Sequence, residues 1–347
     1  MMKKRTAKSK NSTIRPFFIG IGIGLVFLLV FIGIFILVLG KSIQNQTGIT
    51  PQTAYSILFE TGVPLKSSKQ RTNLLVLGRG GENHTGSDLT DTILVISVRI
   101  SDGNIAMVSI PRDTWSPTLQ DKVNSAYYYG KQKEQGNGLT FVKTIIEETI
   151  GLPIHYVINI DFSGFKHIID VIGGVDVHVP HGFTDIEFPI EGKEDDLCDG
   201  DPLYACRYET ISFQEGVQHM DGEEALKYVR SRHAVGDEGT DFARSRRQQE
   251  VILALKQKLM RPQTWLQNKN TEKLMASFNT YTETNMTMGE LLTVGKSIYD
   301  ANGQKMKQIS LEDQLTQGVS YQYKGKYVLV PVEGWDMLHQ YIHSQLD

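Results

Sequence analysis

Five arginines crowd the stretch Tyr228–Gln248, at positions 230, 232, 244, 246 and 247. A guanidinium is planar, permanently charged and forked, which suits it to two oxygens of one phosphate. If Leu226–Arg232 is a strand, Arg230 and Arg232 are two residues apart and emerge on the same side. A helix beginning after Thr240 or Asp241 places Asp241, Arg244 and Gln248 at i, i+3 and i+7, on one face. Two chemistries fit this stretch: a clamp for a phosphate-bearing ligand, or a charged helix side paired with Glu250 and solvent.

Two further segments carry groups that could join such a clamp. Gly78–Asp91 is a glycine-rich turn holding Glu82, Asp88 and Asp91. Glycine lets a backbone approach a ligand closely, and clustered carboxylates hold a hard cation such as Mg2+ or Mn2+. Without Gly-Lys-Ser/Thr it is not a nucleotide phosphate loop, and an ordinary surface turn reads the same way. Ser109–Thr114 puts Arg112 and Asp113 just past an apolar run, with Pro111 at a strand end where no ladder donor is needed, and Lys122 follows a short loop later. Arg112 and Asp113 could equally serve simple ion pairs with their neighbours.

Other constellations are absent. The histidines show no zinc spacing, and only His233, next to Arg232, falls near the clamp. No Gly-x-Ser-x-Gly elbow supports a serine hydrolase. Trp115, Tyr127, Tyr128 and Tyr129 fit either an apolar groove or a core.

Something must position these groups, and the 347 residues, 40% of them hydrophobic, suffice for one sizeable domain plus an appendage. Phe17–Leu39 has no charged residue and, at about 1.5 Å per residue, is long enough for a hydrocarbon layer of about 30 Å. It reads as a transmembrane helix. Lys3, Lys4, Arg5, Lys8, Lys10 and Arg15 precede it without any acid, so the N-terminus is expected in the cytoplasm and the bulk of the chain outside. Its length exceeds a signal-peptide apolar region of about 7–15 residues. Setting those six cations aside from the net charge of -3 leaves about -9, which disfavours nucleic acid as a partner. Cys198 and Cys206 lie in the acidic insert Glu191–Glu209, where an oxidising compartment allows a local disulfide; two free thiols are the other possibility.

The expected organisation is a basic tail at 1–15, a membrane helix at 16–40, a polar stalk at 41–71 with a short helix around Ala54–Glu60, and a folded domain at 72–347. Asn73–Leu77, Thr92–Arg99 and Asn104–Ile110 read as strands, the last two joined by the hairpin signal Ser101-Asp-Gly103. Leu139–Ile150 and Phe162–Ile172 have helical spacing, with strand-like Tyr156–Ile160 between them and Val175–Val179 after the Gly173-Gly174 break. Asp241–Leu259 reads as a long helix, Met286–Tyr299 and Trp335–Ile342 as two more, and Lys305–Leu311 and Tyr327–Val330 as strands. The alternation predicts an α/β fold with a mixed central β-sheet flanked by helices.

In order along the chain, Leu75-Val-Leu-Gly78, Leu89-Thr-Asp-Thr92, Ser109-Ile-Pro-Arg-Asp-Thr114, Lys122-Val-Asn-Ser-Ala-Tyr127, Gly173-Gly-Val-Asp-Val177, Leu226–His233 and Asp241–Gln249 resemble the LytR-CpsA-Psr family. The match forms a motif core at 72–260, leaving 261–347 as an elaboration. The resemblance implies an extracytoplasmic phosphotransferase that moves a glycopolymer phosphate from a polyprenyl-pyrophosphate carrier to peptidoglycan or another surface acceptor. It implies pyrophosphate contacts for Arg112, Lys122, Arg230, Arg232 and Arg244, with Gln248 beside them. It implies a Mg2+ acid at Asp91, and at Asp241 an acid near the reacting phosphate that could take the acceptor's proton. It also implies a long apolar pocket for the carrier lipid, for which Phe141, Ile145, Ile146, Phe162, Phe165 and Ile169 are candidates, equally explicable as core.

The chain departs from the pattern at Gly78-Arg-Gly80, where many members carry a second metal-binding aspartate at the third position. Asp88 or Glu82 could substitute, or Arg79 could neutralise charge in a metal-poor site. The stretch from Arg232 to Asp241 is also longer than usual. A pyrophosphatase and a noncatalytic glycan-binding scaffold are the alternative functions. A transcription regulator does not fit a chain with its bulk outside the cytoplasm.

Overall fold

Alternate apolar residues of the first strand, Leu74 against Leu75 and Leu77, enter different cores, so the central sheet is covered on both faces. The fold is that of a computed structural model, which describes residues 62–81, 87–133, 137–261, 263–264, 270–300 and 306–346, with 50, 52 and 56 as isolated positions. The expected tail, the membrane helix Phe17–Leu39, Glu82 and, apart from Ser56, the helix around Ala54–Glu60 lie outside these residues. Among the described residues no helix is long and apolar enough to cross a membrane. The chain divides into two compact units, Met1–Val63 and Pro64–Asp347, and the second holds every described strand.

Strands β1 (Arg71–Arg79), β2 (Thr90–Arg99) and β3 (Ile105–Ser109) form an antiparallel meander. Short strands β4 (Trp115–Ser116) and β5 (Asp121–Lys122) then pair, before helices α1 (Ala126–Lys133) and α2 (Gly138–Ile150). Strand β6 (Tyr156–Asp161) returns parallel to β1, and α3 (Phe162–Val171) follows it. A peripheral layer comprises β7 (Val175–Val179), the hairpin β8 (Phe183–Pro189) and β9 (Tyr208–Phe213), then β10 (Gly216–Met220) and α4 (Gly222–Arg230). Helices α5 (Asp241–Leu259) and α6 (Asn270–Tyr281), strand β11 (Thr282–Thr284), α7 (Met288–Asp300), β12 (Lys307–Ile309), the pair β13 (Leu315–Gln317) and β14 (Leu329–Pro331), and α8 (Trp335–Leu346) complete the unit.

The central sheet has the order β11-β6-β1-β2-β3-β12, with parallel and antiparallel pairs. The mixed α/β architecture is therefore as expected. One face packs Leu75, Leu77, Val95 and Val108 against Val142, Ile145 and Ile146 of α2 and Leu338 and Ile342 of α8. The other packs Leu74, Val98 and Tyr156 against Met286 and Val294. A third cluster joins Val175, Val177, Ile169, Leu226, Tyr228 and Val251 beneath the peripheral layer.

One expectation is overturned where it matters. Leu226–Arg232 is not a strand: α4 runs Gly222–Arg230. Asp221 and Glu224 form a reciprocal capping box, and buried Ala225, Leu226, Tyr228 and Val229 recur at helical spacing. Gly222 is needed there because a Cβ would lie 2.3 Å from the Lys166 carbonyl oxygen on α3.

Candidate active site

Strands β1, β3 and β6 end, and β2 begins, at the same rim of the sheet, as the pairings Gly78 with Thr92 and Gly78 with Ile160 require. Such rims are where ligands collect in open α/β sheets. A cavity of about 270 Å³ opens there. Asp91 and Thr92 reach it from β2, Arg112 from just past β3, Phe162 from the start of α3, and Phe188 and Pro189 from the end of β8. Val229 and Arg230 come from the last turn of α4, Arg232 and His233 from the extended link after it, and Arg244 and Gln248 from the first turns of α5.

Four guanidiniums thus line a cavity whose lining contains one carboxylate, Asp91. Asp91 Oδ1 accepts from Arg112 Nη1 at 2.5 Å. Burial opposes charge on Arg112, but Asp91 outweighs it and the net shift is upward. Arg230 is shifted downward by desolvation, and its guanidinium lies 4.6 Å from the Phe162 ring centre and 5.7 Å from that of Phe188. Arg244 is only 4% exposed. Burial pulls it down to about 10, Arg112 and Arg232 add repulsion, and Asp241 at 3.1 Å partly opposes them. Its buried Nε has no hydrogen-bond acceptor among the described residues. A buried donor on a cation that other cations repel is a place where an anion gains most.

The helical spacing of Asp241, Arg244 and Gln248 is realised, because Thr240 caps α5 by accepting from the Ala243 amide at 3.1 Å and fixes the helix start. Arg230 and Arg232 do share the cavity, although through a helix end and an extended link rather than a strand face. Lys122 is not part of the lining; its Nζ lies 2.5 Å from Asp113, which is buried and whose other oxygen is 3.7 Å from Arg112 Nε. Lys122 therefore reaches the site through Asp113. Asp241 is not among the lining residues either; its Oδ1 lies 3.1 Å from Arg244 Nη1, and it is within electrostatic reach of Arg112. The remaining two arginines of the cluster pair with Glu238, and Arg247, 1% exposed, additionally donates to the carbonyls of Tyr228 and Ser231 at 3.0 and 2.6 Å. It ties α5 to the end of α4.

Of the expected lipid-facing residues only Phe162 lines this cavity; Ile145, Ile146 and Ile169 are buried core, and Phe141 and Phe165 pack against core clusters. Trp115 and Tyr127 are buried too. Phe188, Pro189 and Val229 were not singled out by sequence reasoning. The one signal for Phe188 and Pro189 was the Phe-Pro pair just before the insert. Cys198 and Cys206 are joined in a disulfide, with Cα atoms 5.6 Å apart.

The donor set for a divalent ion is thin. Gly80 offers no oxygen from a side chain, Asp88 is held 2.9 Å from Lys131, and Arg79 lies 4.0 Å from Asp161. Among the described residues the only potential metal-binding trio is Asp196, Cys198 and Cys206, and its sulfurs are consumed in the disulfide. Mg2+ often takes one carboxylate and completes its shell with phosphate oxygens and water, so Asp91 fits an ion shared with a diphosphate.

The LytR_cpsA_psr family model matches residues 40–332. The chain belongs to the LytR_cpsA_psr family. Relatives of this family member include a protein of Oceanobacillus iheyensis named polyisoprenyl-teichoic acid--peptidoglycan teichoic acid transferase TagU. It is 31% identical over 268 residues, covering 73% of each chain. A TagU of Bacillus mycoides is 30% identical over 193 residues, 54% of this chain and 53% of that protein, so the chain spans about half the length of that relative. The crystal structure of Bacillus subtilis TagV superposes with a TM-score of 0.57 at 24% identity, covering 81% of this chain and 99% of that one, which establishes the shared fold.

Proposed function

We propose that this LytR_cpsA_psr protein is a membrane-anchored extracytoplasmic phosphotransferase that moves a glycopolymer phosphate from a polyprenyl-pyrophosphate carrier to peptidoglycan or another cell-surface acceptor. The observation that carries the reading is the convergence of Arg112, Arg230, Arg232 and Arg244 on one small cavity with a single carboxylate. The names of the TagU relatives support it, since they describe transfer between the same kinds of molecule. Phe17–Leu39 supplies the anchor in this reading.

Phosphoryl transfer asks the protein for position and charge neutralisation more than covalent chemistry. The guanidiniums of Arg112, Arg230, Arg232 and Arg244 grip the diphosphate oxygens, and Gln248 adds a neutral donor. An acceptor hydroxyl attacks the glycan-side phosphorus; its new P–O bond forms as the bond to the bridging oxygen breaks, and polyprenyl phosphate departs. Asp241 takes the hydroxyl proton on its carboxylate, and Lys122 holds Asp113 and through it Arg112. Asp91 would hold Mg2+ or Mn2+, which supplies further neutralisation of phosphate charge when bound.

The deciding experiment supplies a polyprenyl-diphosphate-linked glycan with and without peptidoglycan and follows polyprenyl phosphate release and glycan attachment. Acceptor-dependent attachment that Arg112→Ala and Arg244→Ala abolish supports the transferase. Equal release into water would make the protein a pyrophosphatase, and attachment unaffected by either substitution would leave a glycan-binding scaffold.

A further inference from the structure

Asp185 is an anion with no solvent exposure, and every partner it has among the described residues is a neutral donor. Its Oδ2 accepts from the Ser231 hydroxyl at 2.7 Å and from the amides of Arg232 and His233, each at 3.1 Å. Its Oδ1 accepts from the Glu187 amide at 3.0 Å. Burial would raise this carboxyl, but Ser231 and the three amides outweigh it and hold it below its ordinary value. The pairing of β8 with β9 slips between Asp185 and Phe188, and Asp185 bridges instead to Ala234.

These contacts join two walls of the cavity. Helix α4 stops at Ser231, and the link beyond it carries Arg232 and His233 with amides that leave the helical ladder. Asp185 takes both amides, while the slip in its own strand brings Phe188 and Pro189 to the rim. His233 Nδ1 adds a strap, donating to the Glu187 carbonyl at 3.2 Å. A displacement of the link of about 1 Å would take the Arg232 fork out of register with a bound diphosphate.

We infer that Asp185 is a positioning residue: its buried carboxylate fixes the backbone of Arg232 and His233 against the β8–β9 hairpin and so sets where the Arg232 guanidinium meets a diphosphate. The inference rests on the reading of the cavity as a diphosphate site. Asp185 touches no substrate in this role, and its effect passes through Arg232.

The test is a double-mutant cycle on the full chain in detergent, with inorganic pyrophosphate titrated by calorimetry. Arg232→Ala is expected to weaken binding about tenfold, and Asp185→Asn, which turns an amino group toward one of the four donors, about five- to tenfold. In the Arg232→Ala background Asp185→Asn should change affinity less than about twofold, because the residue it positions is gone. Asp170→Asn controls for stability alone, since Asp170 anchors the other end of α4 through the Gly222 amide, and it should leave affinity unchanged. Equal losses from Asp185→Asn in both backgrounds, or none in a folded variant, overturn the inference. Should Asp185→Asn not fold, Ser231→Ala removes one donor and keeps the carboxylate; about a threefold loss that vanishes in Arg232→Ala supports the inference, and unchanged affinity overturns it. If the wild-type chain does not bind pyrophosphate, or Arg232→Ala leaves binding intact, the diphosphate reading itself falls and the inference with it.

Discussion

Arg244 and Asp241 form an ion pair of 3.1 Å across one turn of α5, and the arginine is held buried there against the repulsion of Arg112 and Arg232. Lowered to about 10 from 12.5, Arg244 disfavours the ligand-free fold while it is charged, a penalty present through neutral pH and relieved only as pH rises past about 10. Arg244→Met is therefore expected to stabilise the ligand-free protein by about 1–3 kcal/mol, since Asp241 keeps Arg112 within electrostatic reach. The same variant should lose transfer activity by about a hundredfold or more. Thermal melts beside acceptor-dependent turnover check both; a drop in Tm would show that the ion pair outweighs the burial.

Asp91 has two opposed effects, neutralising Arg112 at 2.5 Å and offering the one carboxylate that lines the cavity. In chelator, Asp91→Asn should strengthen pyrophosphate binding severalfold, about 1 kcal/mol, because Arg112 is released. With Mg2+ present, the variant should lose whatever stimulation the ion gives. Calorimetry in both buffers separates the two, and weaker binding in chelator would refute the release.

Asp113, 3% exposed, sits between Lys122 and Arg112. Asp113→Ala leaves the partly buried Lys122 without its anion and Arg112 with Asp91 alone, and a loss of about 3 kcal/mol in urea unfolding is expected. Lys122→Ala should be milder, because Arg112 still faces the carboxylate.

Much of the site was legible in advance. Asp241, Arg244 and Gln248 were predictable because helix periodicity is local, and the strands β1, β2 and β3 because their apolar runs are bounded by turn residues. The misreading of Leu226–Arg232 has a physical cause. Charged Lys227 between apolar Leu226 and Tyr228, then Val229 followed by charged Arg230, imitates alternation over a short window, while the decisive signal, the capping box of Asp221 and Glu224, lies just upstream. Asp185 carried no signal, because its role depends on a slipped hairpin register and on contacts about 45 residues away, which no local pattern encodes.

His155 accepts from the Asn73 amide through Nδ1 at 2.9 Å, which requires the neutral ring, and burial followed by repulsion from Lys143 lowers its pKa from 6.5. Its contribution to stability is complete above pH 6.5 and declines as the pH falls from there toward the lowered folded value. His155→Asn, which keeps an acceptor for Asn73, should flatten the fall in Tm as the pH drops below 6.5. An identical slope in both proteins would remove His155 as the cause.

The Cys198–Cys206 disulfide closes a short loop with eight residues of separation. Replacing both cysteines with serine should cost roughly 2 kcal/mol, confined to the β8–β9 insert. Faster proteolytic nicking within 190–207, with pyrophosphate affinity retained, is the expected result. Lost affinity would tie the loop to the cavity.

The order of the central sheet bears on biogenesis. β12 pairs with β3 from the far end of the chain, and Arg71 Nη2 donates to the Leu346 carbonyl at 2.6 Å. A polypeptide emerging front-first must hold the β3 edge bare until residues some two hundred positions later arrive. During that interval the bare edge is an invitation to mispairing with neighbouring nascent chains.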